Sequence, residues 1–259
     1  MKKFCLLALA CVIAGCSSEV QTSSGREYLA KYNGVGTASR AGDKDQKDKT
    51  VEERIRDAAA VEPILKFPAR IGLARIDQGH LAAIPQEEAE AWGKARDKLG
   101  NGFGEFVALS PLVAEMVADR GYGDVPGIVS QIRLGAARQH LDAVLVYEEH
   151  STEETSNNAL SFAKVTVIGG FLLPSESHTA QGYAEGILID VIQGYPYGNI
   201  RTVVDKQTRL SSAWGWGSSY DAKRELAERV KIQAGRQLAD EAPELFMRLR
   251  TELAERRAK

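Results

Sequence analysis

Two short patterns in the sequence contain side chains that hydrolases and metal sites use. Ser161 and Lys164 have the S-x-x-K spacing in which a lysine activates a nucleophilic serine. That pair needs a helix, because residues three apart point to opposite faces in a strand. The segment around Ser161 reads as a strand, and no K-T-G partner is present. We therefore interpret both residues as part of a half-exposed strand.

Glu148 and His150 form the second pattern, inside an acidic run that ends at Glu154. On a strand the two side chains point the same way and are able to share a divalent cation. A charged run at the end of a hairpin more commonly faces water, and the four histidines show no helical ligand spacing. We predict no metal and no cofactor.

The motifs of the common enzyme classes are missing from the sequence. It contains no G-x-S-x-G elbow, no GxxxxGK[ST] loop, no HExxH and no CxxC. We predict a non-enzymatic protein. An envelope hydrolase with catalytic residues far apart in sequence remains an alternative, which carboxylates with raised pKa in a deep pocket would support.

Two aromatic turns offer candidate interaction surfaces. Tyr195 and Tyr197 flank a proline, and Trp214 and Trp216 flank a glycine. Rigid aromatic side chains of this kind are enriched at interfaces. Packing against the edge of the core is the alternative for all four.

The first sixteen residues have the order of a secretory signal. Lys2 and Lys3 precede a short apolar run, and small residues close it. The final four, Ile13-Ala14-Gly15-Cys16, resemble the lipobox of bacterial lipoproteins. The resemblance implies that residues 1–15 are removed and that Cys16 carries the lipid. Ser17, in place of an aspartate, favours the outer membrane in a double-membraned host.

The composition is consistent with a location outside the cytoplasm. The three cysteines all lie within the first sixteen residues, so no disulfide is expected in the mature chain. The net charge of −2 gives no basic footprint for nucleic acid. We expect the partners to be the membrane, through the lipid, and an envelope protein.

Three regions follow along the chain. Residues 1–15 are the signal peptide, and residues 16–49 are polar enough to predict a flexible tether with a reach of roughly 30 Å. Residues 50–259 form the globular domain. Thr50 and Glu53 predict a capping box that opens its first helix, and Pro243 is expected to kink or divide the helical tail from Asp221 to Arg257.

Hydrophobic periodicity predicts a single mixed-sheet α/β domain with the order β-α-β-α-β-β-β-α. The first three strands are expected to be mostly parallel and the later ones antiparallel. The order resembles that of the TolB amino-terminal and CsgG-like group of periplasmic lipoproteins, on the segments Ile71–Ile76, Ala136–Val146 and Ile187–Asp205. That resemblance implies partner binding in envelope assembly or stress response.

A pore-forming subunit is the alternative from the same group. The apolar run Ala159–Leu173 is long enough for a tilted membrane strand. Lys164 interrupts one face of the run, so we interpret it as a buried strand.

Overall fold

The computed structural model describes residues 17–31, 49–119, 127–157, 176–211 and 218–258. Its strands are β1 (Ser17–Val20), β2 (Ala69–Asp77), β3 (His80–Ala82), β4 (Gly104–Ala108), β5 (Ala143–Asn157), β6 (Glu176–Asp190), β7 (Pro196–Val203) and β8 (Gln207–Ser211). Its helices are α1 (Gly25–Ala30), α2 (Val51–Ala59), α3 (Gln86–Leu99), α4 (Pro111–Asp119), α5 (Ile128–Arg138) and α6 (Ser218–Ala258).

The eight described strands form one mixed sheet with the order β1-β7-β6-β5-β2-β3. Strand β4 pairs with β2, and β8 pairs with β6. Strand β2 is parallel to β4 and β5, whereas β6 is antiparallel to β5, β7 and β8. The predicted α/β class and the change from parallel to antiparallel pairing are therefore confirmed.

Helices cover the two faces of the sheet unequally. The larger core lies between the sheet and helices α3 and α6, and it includes Trp92, Leu145 and Phe246. A smaller core lies under α5, around Ile132 and Val144. Helix α5 contacts β5 and β3, and the same face of β6 and β7 carries exposed side chains such as Ile187.

The helix starts follow local rules that are visible in the sequence. The Thr50 hydroxyl accepts a hydrogen bond from the Glu53 amide, and the Glu53 carboxylate accepts one from the Thr50 amide, which confirms the predicted capping box. Pro85 precedes α3, where its missing N–H costs no helical hydrogen bond. Helix α2 thus begins where the sequence predicts.

Pro243 does not divide the carboxyl-terminal helix, so the division that was one of the two predicted effects of this proline was wrong. Helix α6 runs through it as one element of 41 residues. The neighbouring residues Ala239, Ala242 and Phe246 are fully buried against the sheet and α3. Packing on this scale offsets the loss of one backbone hydrogen bond at proline.

The predicted tether was wrong for residues 17–31, which form β1 and α1. Strand β1 pairs with β7 over four residues, from Ser17 opposite Arg201 to Val20 opposite Gly198. The sequence of β1 is polar because only Val20 packs against the core. Its polar composition therefore predicts disorder. Residues 32–48 lie outside the described part of the chain.

Candidate functional site

A group of ionisable side chains lies inside the larger core. Arg75 on β2, Glu88 on α3 and Tyr147 and Glu149 on β5 form what we call the charge cluster. Arg75 points to the same face of β2 as Ile71 and Leu73. Glu149 likewise points to the same face of β5 as Tyr147.

One guanidinium serves two carboxylates in the charge cluster. Nε of Arg75 lies 2.9 Å from Oε2 of Glu149 and 3.6 Å from Oε1 of Glu88. The Tyr147 hydroxyl donates a 3.1 Å hydrogen bond to Oε2 of Glu88. Glu88 is 0% exposed, and the side chains of Arg75 and Glu149 are 7% and 1% exposed. These contacts are thus shielded from water.

Burial and mutual repulsion favour a protonated carboxyl in the charge cluster. Burial, followed by the charge of Glu88, raises the pKa of Glu149 to about 8, against the opposing effect of Arg75. Burial also raises the pKa of Glu88, again opposed by Arg75. One proton between the two carboxyl groups, together with one arginine, leaves the cluster with no net charge.

Helix α6 closes the charge cluster at Gly235. A Cβ atom at this position would lie 2.7 Å from the Glu88 carboxyl carbon and 2.9 Å from Oε1 of Glu149. Among five cavities in the described part of the chain, one is lined by Tyr147 of the cluster, and none is lined by Glu88 or Glu149.

A second region, which we call the α2 groove, is open to solvent. It is a cavity of about 620 Å³ formed by α1, α2 and the turn between β6 and β7. Tyr28, Ile55 and Ala58 line it on the helix side, and Gly194 and Tyr195 on the turn side. The groove presents mainly apolar side chains.

Helix α2 contributes an amphipathic surface to the α2 groove. Val51 and Ile55 are one turn apart and 64% and 58% exposed. None of the nine residues of α2 is buried. Its contact with the rest of the chain depends on Gly25, because a Cβ there would lie 1.9 Å from the Ala59 carbonyl oxygen.

The structure buries the two tyrosines of the predicted interaction surface. Tyr197 is fully buried, and its hydroxyl donates to Asp190 while accepting from the amides of Ile64 and Leu65. Tyr195 is 7% exposed and donates to the Ser23 carbonyl oxygen. This burial favours the alternative, in which the rings pack at the core edge.

Glu148 and His150 lie side by side on the open face of the sheet, as their spacing predicts. His150 Nε2 lies 3.7 Å from Glu148 Oε2, and the imidazole stacks on Tyr183 with ring centroids 4.7 Å apart. Glu185 faces Glu148 across the strands, and Arg201 is next in the row. Within the described ranges no group of three or more His, Cys, Asp or Glu side chains is arranged to hold a metal ion.

Several predicted positions lie outside the described residues. They are Cys16, Ser161, Lys164, Trp214, Trp216 and the run Ala159–Leu173. Lipidation of Cys16 and the role of the tryptophan pair stay predictions. Of the helices that the structure describes, none combines the length and apolar character needed to cross a lipid bilayer.

Comparisons with known proteins do not assign a family. No protein-family model matches the sequence, and no curated protein matches it. Matching solved structures include the rare lipoprotein B from Shewanella oneidensis, with 11% identity, a TM-score of 0.29 and coverage of 71% of this chain and 98% of that one. Likenesses this weak assign neither a fold nor a function.

Two further matches are equally distant. The LpoB carboxyl-terminal domain from Salmonella enterica has 16% identity and a TM-score of 0.25, over 54% of this chain and 85% of that one. The PelC dodecamer from Paraburkholderia phytofirmans has 12% identity and a TM-score of 0.25, over 66% and 87%.

Proposed function

We propose that this chain is a non-enzymatic cell-envelope lipoprotein, anchored through Cys16 in the outer membrane, that binds a protein partner in envelope assembly or stress response. The α2 groove is the surface that would receive an apolar segment of that partner. The lack of any buried residue in α2 is the observation that carries the binding function.

The amino-terminal sequence supports the proposed location in the cell envelope. The order of charge, apolar run and small residues before Cys16 is typical of a lipoprotein signal. Each methylene group of an acyl chain that is buried in the bilayer contributes about 0.8 kcal/mol to membrane binding, so two or more chains hold a protein stably on a bilayer.

Binding is supported by the energetics of α2. A helix of nine residues is marginal in water on its own, and amphipathic helices gain most of their stability by packing the apolar face. Val51 and Ile55 leave that face in solvent. A partner that covers both side chains would bury the surface that the domain leaves exposed, as in other helix-and-groove interfaces.

The non-enzymatic assignment is supported by the charge cluster. Its carboxylates have the raised pKa values expected of catalytic acids, yet Arg75, Tyr147 and helix α6 enclose them. Glu88 and Glu149 are buried, and a Cβ at Gly235 of α6 would lie within 3 Å of both carboxyl groups. We therefore assign the charge cluster to the fold.

Intact mass spectrometry tests the anchor. The membrane-extracted protein should lack residues 1–15 and carry acyl mass, and a Cys16→Ser variant should carry none. An unlipidated wild-type protein in the soluble fraction would refute the lipoprotein assignment.

Site-specific photocrosslinking in cells tests the partner surface. A photoreactive residue at Ile55 should give one reproducible adduct, which Tyr28→Glu should abolish. The matched control is the same residue at Asp97, which is exposed on α3. Equal adducts at both positions would refute the α2 groove as the partner site.

A further inference from the structure

The start of the chain after Cys16 is fixed to the domain over its first six residues. Strand β1 pairs with β7, and the Gln21 amide continues the ladder with a 2.7 Å hydrogen bond to the Tyr197 carbonyl oxygen. From α6, Arg248 donates to the Ser18 carbonyl oxygen at 3.2 Å. The Thr22 hydroxyl donates to Glu252 on the same helix at 3.1 Å.

A lipid at Cys16 would therefore have no tether. Adjacent Cα atoms are about 3.8 Å apart, and Ser17 is already the first residue of β1. Since β1 is the edge strand of the sheet, the acyl chains would hold this edge at the headgroups. The anchor would thus fix the orientation of the domain as well as its location.

The polar end of β5, residues 150–157, which precedes the Ala159–Leu173 run, decides between the two possible orientations. Ser17 pairs with Arg201 on β7, and Arg201 pairs in turn with Glu185 on β6. Strand β6 begins nine residues before Glu185, at Glu176. At about 3.3 Å per residue, the described part of β6 extends roughly 30 Å beyond Ser17, in the direction opposite to that in which β1 runs.

Strands perpendicular to the bilayer would push this polar end of β5 into hydrocarbon. Residues 150–157 contain no apolar side chain, and Glu153 and Glu154 are exposed. A charged side chain at the centre of a bilayer costs about 3 kcal/mol. Strands parallel to the membrane plane avoid this cost and still bring β1 to the headgroups.

We propose that the domain lies edge-on against the membrane, with β1 toward the lipid headgroups, β3 away from them and the strands running along the surface. The occupant of the β1 edge is the phospholipid surface itself. The inference rests on the proposed lipidation of Cys16.

Energy transfer from three single-cysteine reporters tests the orientation. The acylated full chain would carry a thiol-linked donor at Glu19→Cys on β1, Glu185→Cys on β6 or Ala83→Cys after β3, all exposed positions. The vesicles would contain phosphatidylethanolamine, phosphatidylglycerol and a trace of headgroup-labelled acceptor lipid. With strands about 4.8 Å apart, Glu185 and Ala83 lie roughly 10 and 24 Å beyond β1, so transfer should fall in that order.

Two further variants make the result decisive. A donor at Glu154→Cys in the polar end of β5 should transfer less than one at Glu19→Cys; stronger transfer from Glu154→Cys would overturn the edge-on orientation. A linker of about 20 Gly and Ser residues inserted before Ser17 has a reach of roughly 25 Å and should abolish the gradient.

The outcomes separate this inference from the proposed function. Acyl mass with equal transfer at all three positions would overturn the orientation alone. Absence of acyl mass and of vesicle binding would overturn both the anchor and the orientation. Acyl mass with the expected gradient, lost on insertion of the linker, would support both.

Discussion

The charge cluster places ionisable side chains in the core, whereas the α2 groove places apolar side chains in contact with water. In the charge cluster, ionisable groups such as Glu88 and Glu149 lie in the core without access to water. At the α2 groove, apolar groups of helix α2 such as Ile55, which lines the groove, and Val51, one turn away, lie in water without a core. Both arrangements are unfavourable in free energy. Only in the charge cluster do other residues of the same chain offset part of that cost.

This difference separates folding from binding. Arg75 forms ion pairs with both buried carboxylates and Tyr147 donates a hydrogen bond to Glu88, so the charge cluster connects β2, β5 and α3 within the domain. Nothing in the described part of the chain covers Ile55 to the same degree. We expect changes in the charge cluster to affect the stability of the fold and changes in the α2 groove to affect association.

The largest loss of stability is expected from Arg75→Met. The substitution leaves two buried carboxylates without a positive charge, which typically costs 3–5 kcal/mol. Urea unfolding of the mature chain at pH 7 measures the effect. Arg70→Met, an exposed position of the same strand, should cost less than about 1 kcal/mol. Equal losses at the two positions would contradict the importance of the buried pair.

A smaller loss is expected from Gly235→Ala. The new methyl group would press on both carboxyl groups of the charge cluster, at a cost of about 1–3 kcal/mol for overpacking. Gly93→Ala is the matched control, because a Cβ on that face of α3 meets nothing within 4 Å. It should stabilise the protein by about 0.5–1 kcal/mol through helix propensity. The same sign for both variants in thermal unfolding would count against close contact at α6.

The pH dependence of stability should also reflect the charge cluster. The pKa of Glu149 is raised to about 8 by burial and then by Glu88, so the folded state retains a proton that the unfolded state releases near pH 4.5. Its contribution to stability is full below pH 4.5 and is lost as the pH rises to about 8. The slope is at most about 1.4 kcal/mol per pH unit for one proton. Glu149→Gln should flatten this slope in urea titrations, and an unchanged slope would exclude Glu149 as its source.

Local sequence signals predicted much of the fold. The apolar runs of β2 and β5 and the capping box of α2 depend on neighbouring residues, so a sequence reading finds them. Strand β1 and helix α4 were missed. The first exists through its pairing with β7, and a polar tetrapeptide carries no signal of a partner that lies about 180 residues away.

The charge cluster was only half predictable. Arg75 is in phase with buried residues of β2, and Glu88 is in phase with Ala91 and Trp92 on α3, so both breaks in the apolar pattern are visible. Their meeting is a tertiary contact between elements, and no spacing rule connects Arg75 with Glu149. Gly235 gains its significance only from the two carboxylates that face it.

The smallest change in stability is expected from Ile55→Glu in the α2 groove. The side chain is 58% exposed, so a charged replacement removes little buried surface and should change the free energy of unfolding by less than about 0.5 kcal/mol. The same charge would be buried in a complex that covers α2, where an unpaired carboxylate is strongly unfavourable. Urea unfolding together with photocrosslinking from Ala58 measures the two effects on one variant. Unchanged stability with loss of the crosslink would separate the roles of the two regions, whereas a loss of several kcal/mol would show that α2 belongs to the core.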